Sequence, residues 1–161
     1  MKKLILVRHA KSSWEYDVID HERPLKKRGY DDANLVAEYL KKEKLNIDLV
    51  LSSDAVRTKT TANVFIENLD IDSTKLHLDH QLYDFSGENF IKTIKSCDDT
   101  VNTLMVFGHN HAITWFVNTY GSQLIDNVPT SGVVVVCFNI KKWNELHSGE
   151  TLQTIFPKDL K

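Results

Sequence analysis

Four short apolar runs set the frame for this chain: "LILV" (4–7), the centre of "DLVLSS" (48–53), "TLMVFG" (103–108) and "GVVVVCFNI" (132–140). None has the polar alternation of a half-wet strand, and none is long enough to be a helix of its own. Each therefore reads as a strand buried on both faces. The segments between them change period. From about Lys26 to Lys42, residues Ala33, Val36, Ala37 and Leu40 fall on one helical face. Asp54 is placed to cap a second helix through Leu69, with Ala55, Ala62, Phe65, Ile66 and Leu69 on its apolar side. "GENFIKTIKS" (87–96) reads as a short helix, and His111 to Tyr120 as another with Ile113, Phe116, Val117 and Tyr120 inward. "KLHL" (75–78) is a short additional strand. "HSGE" (147–150) marks a turn, and the alternating "TLQTIF" (151–156) returns from it as a strand. Strands alternating with helices imply an α/β fold with a mostly parallel sheet covered on both faces, made mixed by the terminal hairpin.

No repeat or low-complexity linker interrupts the 161 residues, so the expectation is one domain over 1–161. Twenty Lys and Arg against 22 Asp and Glu leave no net field that would favour nucleic acid or an anionic membrane as partner. Cys97 and Cys137 have neither metal spacing nor the number of a disulfide framework. The opening "MKKLILV" is too short in its apolar part for a signal peptide, and charge returns at Arg8. A cytoplasmic protein is expected.

In an open α/β sheet, ligands bind outside the carboxyl ends of the strands. The residues that follow each strand here are informative. "LILV" runs into Arg8 and His9. "DLVLSS" runs into "DAVRTKTT", with Arg57 in the first helical turn. "TLMVFG" runs into "HNH", with His109 at the mouth and Asn110 placed to cap the next helix. Two arginines and two histidines from three segments thus gather at one sheet edge. Arginine forks match phosphate oxygens, a helix N-terminus adds N–H donors, and a histidine among them is placed to attack phosphorus. The pair His109 and His111 lacks a supporting Cys, Asp or Glu cluster, so no metal site is expected. His21, His77, His80 and His147 read as surface or satisfied residues. Lys26, Lys27 and Arg28 read as a solvated helix start, and Trp14, Trp115 and Trp143 as packing residues.

"LVRHAKSS", "SSDAVRTKTTA" and "VFGHN" resemble the histidine phosphatase superfamily, and most closely its small SixA-like phosphohistidine phosphatase branch. The loop "DHERPLKKRGYDDA" is also similar to the stretch after the first motif in that branch. The resemblance spans residue 4 to about 120. It implies a three-layer, phosphoglycerate mutase-like sandwich and no cofactor or metal. It implies His9 as the transiently phosphorylated nucleophile, Arg8 and Arg57 as phosphate clamps, and His109 as a further donor to the phosphoryl oxygens. Ser12 or Ser13 is a looser candidate for a hydroxyl contact. The chain departs from the superfamily in two places. Ala10 stands where glycine is usual after the motif histidine. The acidic "E-x-x-x-G-x-x-E-G"-like segment that supplies a proton donor is absent, which leaves Asp84 and Glu88 as the nearest carboxylates.

An alkoxide leaving group must be protonated, whereas the imidazole of a phosphohistidine leaves far more readily. The expected function is therefore a phosphohistidine phosphatase acting on a phosphorylated protein, such as a histidine phosphotransfer domain. The alternatives are a small-molecule phosphomonoester phosphatase or mutase of the same superfamily, or a noncatalytic phosphate-binding module.

Overall fold

The computed structural model describes residues 1–161. Its strands are β1 (Lys2–Arg8), β2 (Leu49–Ser52), β3 (Leu76–Leu78), β4 (Thr103–Gly108), β5 (Val133–Phe138) and β6 (Glu150–Ile155). Its helices are α1 (Lys27–Lys41), α2 (Val56–Leu69), α3 (Glu88–Lys95) and α4 (Ala112–Tyr120). The six strands form one sheet in the order β3-β2-β4-β1-β5-β6. β3, β2, β4 and β1 are mutually parallel. β5 runs antiparallel to both β1 and β6.

The apolar runs are central because the sheet is covered on both faces. Along β1 the side chains alternate between two cores. Leu4 and Leu6 join a cluster with Phe90 and Ile94 of α3 and Ile113, Phe116 and Val117 of α4. Ile5 and Val7 join the opposite cluster, with Val36 and Leu40 of α1 and Phe65 of α2. The result is a three-layer sandwich with α1 and α2 on one face and α3 and α4 on the other. Each fully buried Leu, Ile or Phe contributes about 1.5–3 kcal/mol, so these two clusters account for the sheet's position between its helices.

Several local readings change in three dimensions. Asp54 does not cap α2. The capping residue is Ala55, whose amide donates to the Ser53 hydroxyl, and the Asp54 carboxylate turns to His21 and His80 instead. Before Pro24 the chain makes one 3-10 turn, Asp20–Glu22. Of the three tryptophans only Trp143 is a core residue. Trp14 is exposed and lies under the Arg23 guanidinium at 3.5 Å, and Trp115 is also exposed.

The segment after β1 is anchored by backbone. Ser12 bridges Leu25, the Lys26 amide donates to the Lys11 carbonyl, and the Ser13 amide donates to the Pro24 carbonyl. Gly29 in the first turn of α1 is required there, because a Cβ would strike the Lys11 carbonyl oxygen. This pairing folds the loop holding Asp20 and Arg23 back over the end of β1.

Candidate active site

The site lies where the sheet switches face. Arg8 is in register with Gly108, and Ser52 with Phe107, so β2, β4 and β1 end side by side. The chain leaves β1 toward α1 on one face and leaves β4 toward α4 on the other. Connections that diverge in this way open a crevice at the strand ends. The His9 amide donates to the Gly108 carbonyl, the Ala10 amide donates to the Thr61 hydroxyl, and the Ser131 amide donates to the Arg8 and His9 carbonyls. His9 is therefore held by β4, α2 and the segment before β5.

The crevice is a pocket of about 470 Å³ whose lining includes Arg8, His9, Ser12, Asp20, Arg23 and Arg57. A groove of about 460 Å³ beside Leu49, His77 and Cys97 contains no arginine and no comparable set of converging donors. In the crevice, the His9 Nδ1–H donates to the Ala10 carbonyl at 2.8 Å, which leaves Nε2 as the ring's lone-pair nitrogen. Burial, reinforced by the charges of Arg57, Arg8 and Arg23, lowers the His9 pKa to about 3. The ring is therefore neutral and nucleophilic at physiological pH.

Arg57 is 2% exposed, and it donates to the Asp20 carbonyl at 2.6 Å and to the Asp20 carboxylate at 2.9 Å. Arg8 donates to the Val128 carbonyl. Each of these arginines keeps a buried Nε–H without a partner. A buried donor left unsatisfied costs about 1–3 kcal/mol, and two of them beside a neutral histidine suit an anion.

His109 is fully buried behind this layer, its ring centroid 5.2 Å from that of His9. Arg57 approaches its Nδ1 at 3.5 Å, and its Nε2–H faces the Ser53 hydroxyl at 2.8 Å. Burial first, then the positive charge of Arg57, pushes its pKa well below the ordinary histidine range. In this arrangement His109 supports Arg57 and packs against His9, and it does not itself line the pocket. The four residues Arg8, His9, Arg57 and His109 are thus brought together. Ser12 also belongs, as the hydroxyl that accepts from Arg23 at 2.6 Å.

Asp20, Arg23 and Tyr83 are the residues that sequence reasoning missed. The Asp20 carboxylate accepts from Arg57, from Arg23 Nε at 3.0 Å and from the Tyr83 hydroxyl at 2.6 Å. Burial opposes its charge, but these three donors outweigh burial and hold its carboxyl well below the usual carboxylate range. It is the only carboxylate lining the pocket. Asp84 instead accepts from the amides of Ser86, Gly87 and Phe90 and organises the start of α3, while Glu88 lies outside the pocket lining on α3. The available signal was the spacing Asp-x-x-Arg-Pro in "DHERP", which puts an acid and a base on one short turn ahead of a rigid residue.

Fold and pocket define a class: an α/β phosphohydrolase with a histidine and paired arginines at its strand ends. The profile of the histidine phosphatase superfamily (branch 1) matches residues 4–90, and the chain belongs to that superfamily. An uncharacterized protein of Mycobacterium tuberculosis is 29% identical over 140 residues, covering 81% of this chain and 85% of its own length. An uncharacterized chloroplastic protein of Arabidopsis thaliana is 34% identical over 120 residues, covering 68% of this chain and 54% of its own. Among solved structures, the candidate phosphohistidine phosphatase SixA of Agrobacterium tumefaciens superposes with a TM-score of 0.81 at 22% identity, covering 96% of this chain and 97% of that one. A protein histidine phosphatase SixA complexed with tungstate gives 0.81 at 21% identity, with 99% of both chains covered. A phosphoserine phosphatase of Entamoeba histolytica gives 0.65 at 18% identity over the full length of both. No helix is long and apolar enough to cross a membrane.

Proposed function

We propose that this phosphatase removes the phosphoryl group from phosphohistidine on a protein partner, through a phosphoenzyme on His9. The observation that carries the reading is the neutral His9 ring with Nε2 free, set between two arginines that each retain an unpartnered buried N–H. In the first step His9 Nε2 attacks phosphorus in line. The new N–P bond forms as the bond from phosphorus to the substrate imidazole breaks, and that ring, carrying a proton on its other nitrogen, departs with the electron pair as neutral imidazole. In the second step water attacks phosphorus, the His9 N–P bond breaks, and inorganic phosphate leaves. Arg8 and Arg57 stabilise the equatorial oxygens, which is most of what phosphoryl transfer asks of a protein. His109 holds Arg57 and limits the tilt of the His9 ring. No metal is needed, because the guanidinium groups already supply the charge that a cation would bring.

The substrate class follows from the acid that is missing. Asp20 is kept ionised by three donors, so at neutral pH it has no proton to give an alkoxide. Imidazole needs far less help to leave. The pocket's rim carries exposed Trp14 and Phe85, which suits contact with a folded partner such as a histidine phosphotransfer domain. The reading places this activity in the cytoplasm, where such phosphorelay proteins act, and in one domain spanning the chain.

The test is kcat/KM for a phosphohistidine protein and for small phosphomonoesters under the same conditions. The phosphohistidine protein should be the better substrate, and His9→Ala should abolish turnover and the acid-labile phosphate trapped on the wild-type chain. If a phosphomonoester is turned over more efficiently than every phosphohistidine protein tried, the small-molecule reading replaces this one.

A further inference from the structure

We propose that His21, Asp54 and His80 form a binding site for one divalent transition-metal ion of the Zn²⁺ class, outside the pocket lining and next to Asp20. The three side chains come from the Asp20–Glu22 turn, the start of α2 and the 3-10 turn His80–Leu82. They are far apart in sequence, yet their ligand atoms all lie within 4.8 Å of one another. The His21 Nε2–H donates to Asp54 Oδ1 at 2.7 Å, and the His80 Nδ1–H donates to both carboxylate oxygens at 3.0 Å. Both imidazoles thus aim a nitrogen at the same carboxylate.

Imidazole and carboxylate form a borderline donor set suited to Zn²⁺ and its neighbours rather than to Mg²⁺ or Ca²⁺. With Zn–N and Zn–O bonds of about 2.0–2.2 Å, adjacent ligands of a tetrahedron stand about 3.3 Å apart. The two hydrogen-bonded spacings, 2.7 and 3.0 Å, need to open by only about 0.3–0.6 Å, and the two imidazole nitrogens, which lie within 4.8 Å of each other, would draw in toward the same spacing. The metal would take the ring nitrogens now turned to Asp54, and each ring would carry its proton on the other nitrogen. His80 is exposed, with a side chain 71% accessible, so the path for the ion and the fourth position for water face solvent.

Two further observations set this cluster apart from a casual surface ion pair. Asp54 sits one residue before the Ala55 cap of α2, and because the Ser53 hydroxyl receives the Ala55 amide, the Asp54 carboxylate is left for the histidines. The Tyr83 ring stands edge-on to His21 at 4.9 Å and lies 5.6 Å from His80, which fixes both ring planes. Outer contacts of this kind orient metal-binding histidines. The site is separate from the reacting atoms: its link to the pocket is Asp20, one residue from His21. Its role is to clip together the three segments that carry these residues.

The experiment is a titration of the metal-free full chain with Zn²⁺ near neutral pH, in competition with a chromogenic chelator. The expected result is one strong site per chain and a Tm that rises with Zn²⁺, as binding to the folded state alone requires. His80→Ala and Asp54→Asn should each weaken binding by at least about tenfold, the scale set by losing even outer-sphere support, and His80→Ala should remove the Tm shift. His147→Ala should bind as the wild type does. Absence of stoichiometric Zn²⁺ binding, or equal affinity in His80→Ala and wild type, overturns the proposal. These readouts do not depend on turnover, so they stand or fall apart from the substrate assignment.

Discussion

Asp20→Asn isolates the effect of a carboxylate on an anion site. In the free protein Asp20 occupies Arg57 through its carbonyl and its carboxylate, and it also takes Arg23 Nε and the Tyr83 hydroxyl. An anion arriving at Arg57 meets this negative charge. A phosphate dianion on the free side of the guanidinium lies on the order of 6 Å from the carboxylate, where repulsion is about 5.5 kcal/mol at an effective dielectric of about 20 and about 1.4 kcal/mol at about 80. The Asp20 side chain is 41% exposed, so solvent screening puts the value near the lower end, about 1.5–2.5 kcal/mol. Asparagine keeps the shape and the oxygen that accepts from Arg57 but removes the charge. Inorganic phosphate or tungstate should therefore bind Asp20→Asn roughly ten- to seventy-fold more tightly at low ionic strength. The gain should shrink toward a few-fold as salt approaches physiological levels, where the Debye length is about 8 Å. Competitive inhibition and calorimetric titration both read the affinity. Unchanged or weaker anion binding would refute the reasoning, because it would mean that Asp20 serves mainly to hold Arg57 in its binding posture.

Three other outcomes follow from the same geometry. Arg57→Ala should lower kcat/KM by about 10²-fold or more, the scale for losing a preorganised charge at a transition state, and Arg57→Lys should recover little because the paired fork is lost; wild-type rates in either variant would remove Arg57 from the machinery. Activity should survive exhaustive chelation, and loss of turnover restored by Zn²⁺ or Mg²⁺ would show that a metal takes part in the chemistry. Stability should fall as pH drops from about 6.5 toward about 3, because the unfolded chain takes up a proton on His9 in that window while the folded chain does not. His9→Gln should remove part of this fall, so its Tm relative to wild type should rise steadily from neutral pH to about pH 5; a constant difference would mean that the His9 ring takes up its proton in the fold as readily as in the unfolded chain.

Much of the sheet and half of the site were legible in the residues themselves. The runs 4–7, 103–108 and 132–140 could only be buried strands, because an uninterrupted apolar segment of that length has no wet face to offer. Strand ends bearing Arg8, His9 and His109 were legible for the same reason, since a charged or polar residue directly after a buried run marks the place where the chain emerges. Arg57 could be placed one turn into the helix after Ser53. What those residues would face was another matter. The partners of Arg57 and His109 depend on which strand ends adjoin, and the order β2-β4-β1 arises from packing between elements up to about a hundred residues apart.

The loop residues show the limit most clearly. Asp20 and Arg23 sit in a turn without periodicity, and nothing local distinguishes them from solvated charges. They enter the pocket because Ser12 and Ser13 pair with Leu25 and Pro24 and because Gly29 lets α1 close against Lys11. Asp54 was legible as a helix cap, since that is what an aspartate before an apolar period does when only its neighbours matter. In the folded chain His21 and His80 offer it charge-assisted hydrogen bonds that its own helix does not. Local sequence determined where the chain would be buried, where it would turn and which charged groups would stand at the strand ends. Tertiary structure alone decided which of those groups meet, because Coulomb and hydrogen-bond energies are set by separations of a few ångströms that chain connectivity between distant segments leaves open.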